Sequence, residues 1–262
     1  MKAVLKMETN NTHHLLSAVL KILKMMVEAG AEIYRIEESA TMIFTSYGFK
    51  NIDIYATTSN IIISLETEEG VIKTHTRRIE KISTDIEKVH CLNMLVRDIT
   101  SNKPTYEYIE DQIEKIHNTN KYPILVNIFF YGVIAGAFYF FFGGRNFSEF
   151  LISTVTGLCT GSVSVLFERF NFNKILIKFI LSFIASFIAV SVKKIGIIGQ
   201  IDNIIIANIM TLIPGIGLTN SLRDLFVGDN ISGVLRLIEA AISALAIACG
   251  YVAVLVVFGG VV

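Results

Sequence analysis

Five long apolar runs in the second half of this 262-residue chain limit the folds that it can adopt. They cover residues 124–142, 150–167, 175–192, 203–222 and 240–262, and Lys178 is the one charged residue within them. A helix of about 20 apolar residues is long enough to cross the hydrocarbon core of a bilayer. Five such runs leave few amphipathic helices to cover them in a soluble fold, so the sequence predicts five transmembrane helices.

The first 121 residues have a different composition. They contain 15 Lys or Arg and 17 Asp or Glu, whereas residues 122–262 contain only 8 and 6. This change predicts two domains, a cytosolic domain over residues 1–121 and a transmembrane helical domain over residues 122–262, with membrane lipid as a partner of the second. Positive charge is clustered in neither domain, so nucleic acid is not expected to bind.

The periodicity of apolar residues predicts an α+β fold for the cytosolic domain, followed by an all-α membrane domain. Two amphipathic helices are expected over residues 12–30 and 33–48, with Gly30 as the C-cap of the first. Runs rich in β-branched residues predict an antiparallel sheet over residues 51–57, 61–67 and 71–79, with a turn at 68–70. Two more helices should follow, one capped within residues 83–85 and ending near Ile99, and one over residues 104–117.

The charges of the loops predict the orientation in the membrane. Residues 1–11 lack the apolar core of a signal peptide, so the first domain is expected in the cytosol of a multi-pass cell-membrane protein. Five Lys or Arg then lie in the inner loops and three in the outer loops, which agrees with the positive-inside rule. Five spans would place the C-terminus outside.

Two G-x-x-x-G pairs, Gly132 with Gly136 and Gly157 with Gly161, lie in the first two apolar runs. Such pairs allow two helix backbones to approach closely in a membrane. We expect them to mediate close helix packing, and they would suit a helix of a partner protein.

The fourth apolar run is interrupted by polar residues, Pro and Gly in the order N-I-M-T-L-I-P-G-I-G-L-T-N. Pro removes a helix donor, and freed carbonyls at membrane depth are tolerated where they line a cavity. A broken helix of this kind can form the site of a small polar substrate. Its candidate residues are Asn208, Thr211, Pro214, Gly215, Gly217, Thr219 and Asn220. A simple kink, or a helix that ends at the membrane interface, is the alternative.

Charged residues follow this run directly, namely Arg223, Asp224, Asp229, Arg236 and Glu239. Arg236 and Glu239 are three residues apart, which favours an ion pair between them at the start of the last span. Alternatively, the charges bind substrate or couple transport to protons, with Asp224 and Glu239 as the candidate carboxylates.

A second charged cluster lies in the cytosolic domain, where Glu32, Arg35, Glu37 and Glu38 follow Gly30, and Arg77 and Arg78 end the last strand. These residues could act in acid–base chemistry, or could form a salt-bridged helix face. No catalytic triad order, zinc-protease motif or phosphate-binding loop accompanies them, so no catalytic residue is assigned. The His and Cys residues lack metal-ligand spacing, and neither a metal nor a cofactor is predicted.

Taken together, four segments resemble the threonine/serine exporter family. They are G-A-E-I-Y-R-I-E at 30–37, T-R-R at 76–78, G-G at 143–144, and P-G-I-G-L-T-N-S-L-R-D-L-F-V-G-D-N-I-S-G-V-L-R at 214–236. The resemblance covers nearly the whole chain. Tyr34 departs from it, because many relatives have a Thr-like residue there.

The resemblance implies secondary export of small amino acids, or in some relatives of a dicarboxylate such as succinate, driven by the proton gradient. It also implies a hydrolase-like cytosolic domain without an established reaction. The chain resembles the half-size version of the family, which works with a second small multi-span membrane protein that supplies the other module. A homo-oligomer is the alternative assembly.

Two other functions stay open at this point. A membrane-anchored hydrolase would need an arranged nucleophile, which the sequence does not display. A scaffold or sensor without transport activity would need no polar groups at membrane depth, whereas Asn208, Thr211 and Asn220 are such groups.

Overall fold

A computed structural model describes residues 2–66, 70–119, 122–170 and 172–259. Within these ranges the chain forms ten helices and one three-stranded sheet. It divides into two compact units, the first comprising Met1–Asn120 with Ile216–Leu237, and the second Lys121–Gly215 with Ile238–Val262. The sequence did not predict that residues 216–237 join the first unit. The predicted turn residues Glu68 and Glu69 lie outside the described residues.

The first unit contains the predicted α+β elements. Its helices are α1 (Lys2–Glu28), α2 (Ile33–Ser46), α3 (Ile86–Asn102), α4 (Tyr106–His117) and α9 (Gly215–Val227) with the start of α10 (Asn230–Val257). Its strands are β1 (Lys50–Ala56), β2 (Asn60–Glu66) and β3 (Ile72–Arg78). Most bounds lie within two or three residues of those predicted, but α1 begins at Lys2 rather than near Thr12.

Local signals fix the ends of these helices. Gly30 has a φ of +89° after α1, and the Ala31 N–H donates to the Met26 carbonyl at 2.9 Å, which satisfies a free carbonyl of the last turn. Asp85 caps α3, because its side chain accepts a hydrogen bond from the Lys88 N–H at 2.9 Å. The predicted caps of both helices are therefore confirmed.

The sheet is antiparallel, with the order β1-β2-β3. Alternate residues of β2, namely Ile61, Ile63 and Leu65, are buried, as the period of two requires when one face of a sheet is covered. They join the apolar faces of the helices in one core that includes Leu16, Leu23, Ile36 and Phe44.

The second unit is helical in its described residues. It contains α5 (Ile124–Phe141), α6 (Phe147–Arg169), α7 (Lys174–Lys194), α8 (Asp202–Met210) and the part of α10 after Leu237. Four helices, α5, α6, α7 and α10, are long and apolar enough to cross a membrane, and there are five spans if the broken pair α8 and α9 counts as one. These findings agree with the predicted multi-pass membrane protein.

The G-x-x-x-G pairs pack α5 against α6. A Cβ atom added to Gly157 would lie 2.6 Å from Ala135 Cβ and 2.7 Å from the Tyr131 carbonyl oxygen, and 3.0 Å from the Cα of Gly132. Only glycine permits this approach. The expectation of close packing is confirmed, but these glycine faces contact each other within the chain, so the expectation that they suit a partner helix is wrong.

The fourth apolar run is broken as predicted. Helix α8 ends at Met210 and α9 begins at Gly215, with Pro214 between them. The last helix differs from prediction, because α10 begins at Asn230 rather than near Ala240. Arg236 and Glu239 therefore lie inside a continuous helix.

Candidate functional site

In the first unit, the turn between α1 and α2 contacts α9 and the start of α10. We call the side chains of Glu32, Tyr34, Arg35 and Arg223 the turn cluster. Glu32 and Arg35 are neighbours because Ile33 starts α2 and places them three residues apart on one face. Arg223 reaches them from α9, which lies almost two hundred residues later in the chain.

The turn cluster is a network of opposite charges around one carboxylate. The Glu32 carboxylate lies 2.5 Å from Arg223 Nη1 and 2.9 Å from Arg35 Nε. The Tyr34 hydroxyl accepts hydrogen bonds from both guanidinium groups, from Arg223 Nη2 at 2.7 Å and from Arg35 Nε at 3.0 Å. Glu32 is thus paired with two guanidinium groups, although its Oε2 accepts no hydrogen bond among the described residues, and the arrangement holds α9 on the turn. The hydroxyl of Tyr34 is an acceptor in this network.

Two backbone carbonyls of the same turn bind side chains of the later motif. Asn220 Nδ2 donates to the Gly30 carbonyl at 3.1 Å, and Arg236 Nη2 donates to the Ala31 carbonyl at 2.8 Å. Gly30 thereby serves two functions, since its positive φ ends α1 and its carbonyl binds α9.

Asp224 and Arg236 form a buried ion pair, with Arg236 Nε 3.4 Å from Asp224 Oδ2. The side chain of Asp224 is 0% exposed and that of Arg236 is 7% exposed. Among the described residues no ion pair joins Arg236 to Glu239, so that prediction is wrong. The physical reason is that the Arg236 side chain binds Asp224 of α9 and the Ala31 carbonyl of the turn, all within the first unit, whereas Glu239 belongs to the second unit.

Among the described residues, Glu37 and Asp229 form no hydrogen bond or ion pair with the turn cluster. Glu37 Oε1 accepts a hydrogen bond from the Ala56 N–H at 2.8 Å, which ties α2 to the end of β1. Burial raises the pKa of the Glu37 carboxyl, the Ala56 N–H lowers it, and the negative charge of Asp229 raises it again. Burial also raises the pKa of Asp229, which lies between α9 and α10.

Arg77 and Arg78 lie on β3 opposite Ile61 and Asn60, and within the described ranges neither forms an ion pair. The sequence grouped them with Glu32 and Arg35, but the structure does not bring these residues together.

A buried polar face of α6 is the main feature of the second unit that the sequence interpretation missed. Its residues are Glu149, Ser153, Thr156, Thr160 and Ser164, all at most 7% exposed. They recur at intervals of three or four residues, a period that is visible in the sequence, whereas the interpretation of this run rested on its lack of charge and its Gly157–Gly161 pair. Glu149 accepts a hydrogen bond from the Tyr139 hydroxyl at 2.9 Å, beside the loop between α5 and α6.

Asn208 of α8 contacts this polar face. Its Nδ2 lies 3.2 Å from Ser153 Oγ and donates to the Ile204 carbonyl at 2.9 Å. Asn208 Oδ1 and Thr156 Oγ1 are buried without a hydrogen-bond partner in the described part of the chain. An unpaired buried acceptor is costly, so these two atoms are candidates for binding a ligand.

The remaining predicted residues lie around the helix break and beyond it. Thr211 closes α8, and its hydroxyl donates to the Asn208 carbonyl at 2.7 Å. Pro214 precedes α9, which contains Gly215, Gly217 and Thr219 in its first turns. Glu239 is exposed on α10. No group of His, Cys, Asp and Glu among the described residues could hold a metal ion.

Comparison with models of protein families matches residues 17–258 to the family described as "Putative threonine/serine exporter". No curated protein and no solved structure matches the chain. The match covers nearly all of the sequence, including both the 30–37 and the 214–236 segments. It agrees with the apolar spans, and it confirms the predictions of a membrane transporter and of a protein that is not an enzyme. The chain belongs to the threonine/serine exporter family.

Proposed function

We propose that this chain is the membrane subunit of a secondary transporter that exports small neutral amino acids of the threonine and serine type. One observation carries the proposal, namely the unpaired buried acceptor of Asn208 near the end of α8, together with the unpaired Thr156 hydroxyl on the polar face of α6 that Asn208 contacts. An ammonium or hydroxyl group of the substrate would donate to these acceptors. The hydroxyl of Ser153 and the amide of Asn208 lie in the same cluster and would orient it.

The chemistry of this cluster favours an amino acid over a dicarboxylate. Ser153, Thr156 and Asn208 are neutral, and their hydrogen bonds within the described residues involve no Lys or Arg. A substrate with two negative charges would need cationic partners at this depth, because unpaired charge in a low-dielectric site is strongly unfavourable. A zwitterion with no net charge avoids much of that cost.

Proton coupling forms part of the proposal, with Glu239 as its carboxylate. Of the two candidates Asp224 and Glu239, Asp224 is held by Arg236 in a buried ion pair, whereas Glu239 makes no ion pair in the described ranges. The proposed orientation has the N-terminal domain inside and the C-terminus outside. Cysteine labelling at Asn146 and a reporter fused to the C-terminus test it, and a C-terminus on the cytosolic side would contradict the five-span topology.

Export of labelled serine from cells with equal membrane levels of each variant tests the substrate site. Asn208→Ala and Ser153→Ala should each lower the export rate about tenfold, which corresponds to the loss of a hydrogen bond made in the buried site. Ser162→Ala is the matched control, because Ser162 lies nine residues after Ser153 on the exposed side of α6 and bonds only its own helix. Wild-type export by Asn208→Ala would refute the assignment.

A further inference from the structure

A cleft of about 240 Å³ lies between α2 and α3 in the first unit. The residues that line it include Arg35, Glu38, Ser39, Asn93, Val96 and Arg97. Pockets for drug-sized ligands are typically about 300–1,000 Å³ in volume. This cleft is smaller, so it suits a ligand of few heavy atoms.

The charges of the cleft are of both signs, and two of them are unpaired. Arg35 already forms an ion pair with Glu32, which lies 2.9 Å from its Nε and also pairs with Arg223. Glu38 and Arg97 are both exposed, and neither has a hydrogen-bond or ion-pair partner among the residues that the structure describes. The cleft therefore offers one free carboxylate and one free guanidinium group to a ligand.

The remaining walls define the size and polarity of the ligand. Ser39 and Asn93 provide a hydroxyl and an amide, while Val96 is almost fully buried and provides an apolar base. A guanidinium group binds a carboxylate in a bidentate manner, and a carboxylate binds an ammonium group. A ligand that matches all of these groups has one carboxylate, one ammonium group and a short side chain.

We propose that the cleft binds a small α-amino acid, with its carboxylate on Arg97 and its ammonium group on Glu38. Arg35 belongs both to the cleft and to the turn cluster, so a ligand in the cleft acts on the Glu32 and Arg223 contacts through Arg35. The cleft is a regulatory site, separate from the substrate site at Asn208. The proposal does not rest on the transport path, because its test is binding and not export.

Hydrogen exchange of the full chain in lipid nanodiscs tests the proposal at the level of single helices. Millimolar L-serine should slow amide exchange in α2 and α3. Arg97→Gln or Glu38→Gln should raise the serine concentration needed for half-maximal protection about tenfold or more. Both side chains are exposed, so the variants should fold. Lys88→Gln is the matched control, since Lys88 lies nine residues before Arg97, on the opposite side of α3, and does not line the cleft.

Ligands that lack one charge test the zwitterion assignment. Ethanolamine lacks the carboxylate of serine and 3-hydroxypropionate lacks its ammonium group, so neither should protect α2 and α3 at the same concentration. Stronger protection by succinate than by serine would overturn the assignment of an amino acid. Absence of protection by serine, or full protection in Arg97→Gln, would overturn the site itself. Protection confined to α6 and α8 would support the substrate site at Asn208 and refute this one.

Discussion

At the residue scale, the buried pair of Asp224 and Arg236 decides which variants can test function. Two charges taken out of water are tolerated when they bind each other, and removal of one partner leaves the other uncompensated. Among the described residues, Arg236 keeps the Ala31 carbonyl as a hydrogen-bond partner if Asp224 is removed. A loss of export in Asp224→Ala would therefore mix folding with transport. Arg223, with 47% of its side chain exposed, is the better residue for a transport test.

Asp224→Ala should lower the free energy of unfolding by about 3–5 kcal/mol, because it leaves the Arg236 charge buried and unpaired. Asp224→Ala combined with Arg236→Met should recover part of this loss, since it removes both charges and keeps an apolar side chain. Unfolding of purified protein in detergent measures both effects. Asp53→Ala, which removes an exposed carboxylate from β1, is the control and should change stability by less than about 0.5 kcal/mol. Equal stability of Asp224→Ala and wild type would contradict the buried pair.

By contrast, Arg223→Ala should abolish serine export at unchanged membrane levels. The substitution disconnects α9 from Glu32 and Tyr34, while the exposed position makes its effect on stability small. Arg223→Lys restores the charge but not the two separate contacts of the guanidinium group, and should recover export only in part. Wild-type export by Arg223→Ala would show that the turn cluster has no role in transport.

The carboxyl of Glu37 should make stability depend on pH. Burial and the nearby Asp229 raise the pKa of Glu37 in the folded protein, so the folded state binds its proton more tightly than the unfolded state does. The resulting decrease in the free energy of unfolding is absent below the unfolded pKa of about 4, and it grows as the pH rises towards the pKa of Glu37 in the folded protein. Glu37→Gln removes this decrease and keeps an oxygen for the Ala56 N–H.

The stability of Glu37→Gln relative to wild type should therefore increase as the pH rises from the unfolded value of about 4 towards the raised pKa of the folded state. Chemical unfolding at several pH values measures this difference. Glu38→Gln, which removes an exposed carboxyl from the same helix, controls for the loss of one negative charge. A difference for Glu37→Gln that falls with rising pH would have the opposite sign and would contradict the assignment.

At the scale of elements, the turn between α1 and α2 depends on Gly30. A Cβ atom at Gly30 would lie 2.7 Å from the Ser83 carbonyl oxygen, and its φ of +89° disfavours any L side chain. Gly48 has a similar φ of +85° but nothing lies within 4 Å of the corresponding Cβ position. The two positions therefore separate backbone strain from a steric clash.

Gly30→Ala should cost more stability than Gly48→Ala. The second change should cost about 1–2 kcal/mol for the left-handed conformation alone, whereas the first adds the displacement of the segment that contains Ser83. Comparison of the two variants by unfolding gives the difference directly. Gly30→Ala should also weaken the contact of Asn220 with the Gly30 carbonyl, and equal losses in both variants would rule out the clash.

The elements of the first unit could be predicted because their signals are local. Apolar spacing predicted α2, the capping residues within 83–85 predicted the start of α3, and runs of β-branched residues predicted the three strands. The contact of α9 with the turn could not be predicted, because Asn220 and Arg223 lie 190 and 191 residues after their partners Gly30 and Glu32. Periodicity in a sequence gives no information about contacts over such a separation. For the same reason Arg236 was paired with Glu239, its neighbour in sequence, rather than with Asp224.

At the scale of the whole molecule, each of the two units is formed by two separate segments of the chain. Residues 216–237 belong to the first unit, and α10 runs from the first unit into the second as one helix. Residues 220–236, which lie in the segment that resembles the family, therefore include the side chains of Asn220, Arg223 and Arg236 that bind the Gly30 turn. Substitutions in residues 223–236 should therefore disturb the contacts with the turn between α1 and α2 directly, and should affect substrate binding only through those contacts.

The last prediction concerns whether this chain can transport alone. Alternating access in secondary transporters usually needs two repeats or bundles that move against each other around a central site. This chain has at most five spans in its described residues, and its sequence shows no internal repeat between residues 122 and 262. Its G-x-x-x-G faces are used between α5 and α6, so a partner helix must contact other surfaces.

We therefore expect the purified chain in liposomes to show no saturable efflux of serine, threonine or succinate under a proton gradient. Addition of a second small multi-span membrane protein that supplies the other module should restore serine efflux, and dissipation of the gradient should abolish it. Chemical crosslinking in the same liposomes distinguishes a complex of two different proteins from a homodimer. Saturable, gradient-dependent transport by the single purified species would overturn the two-component assembly. It would also mean that two copies of this chain, or one copy with its five spans, suffice to alternate access around Asn208.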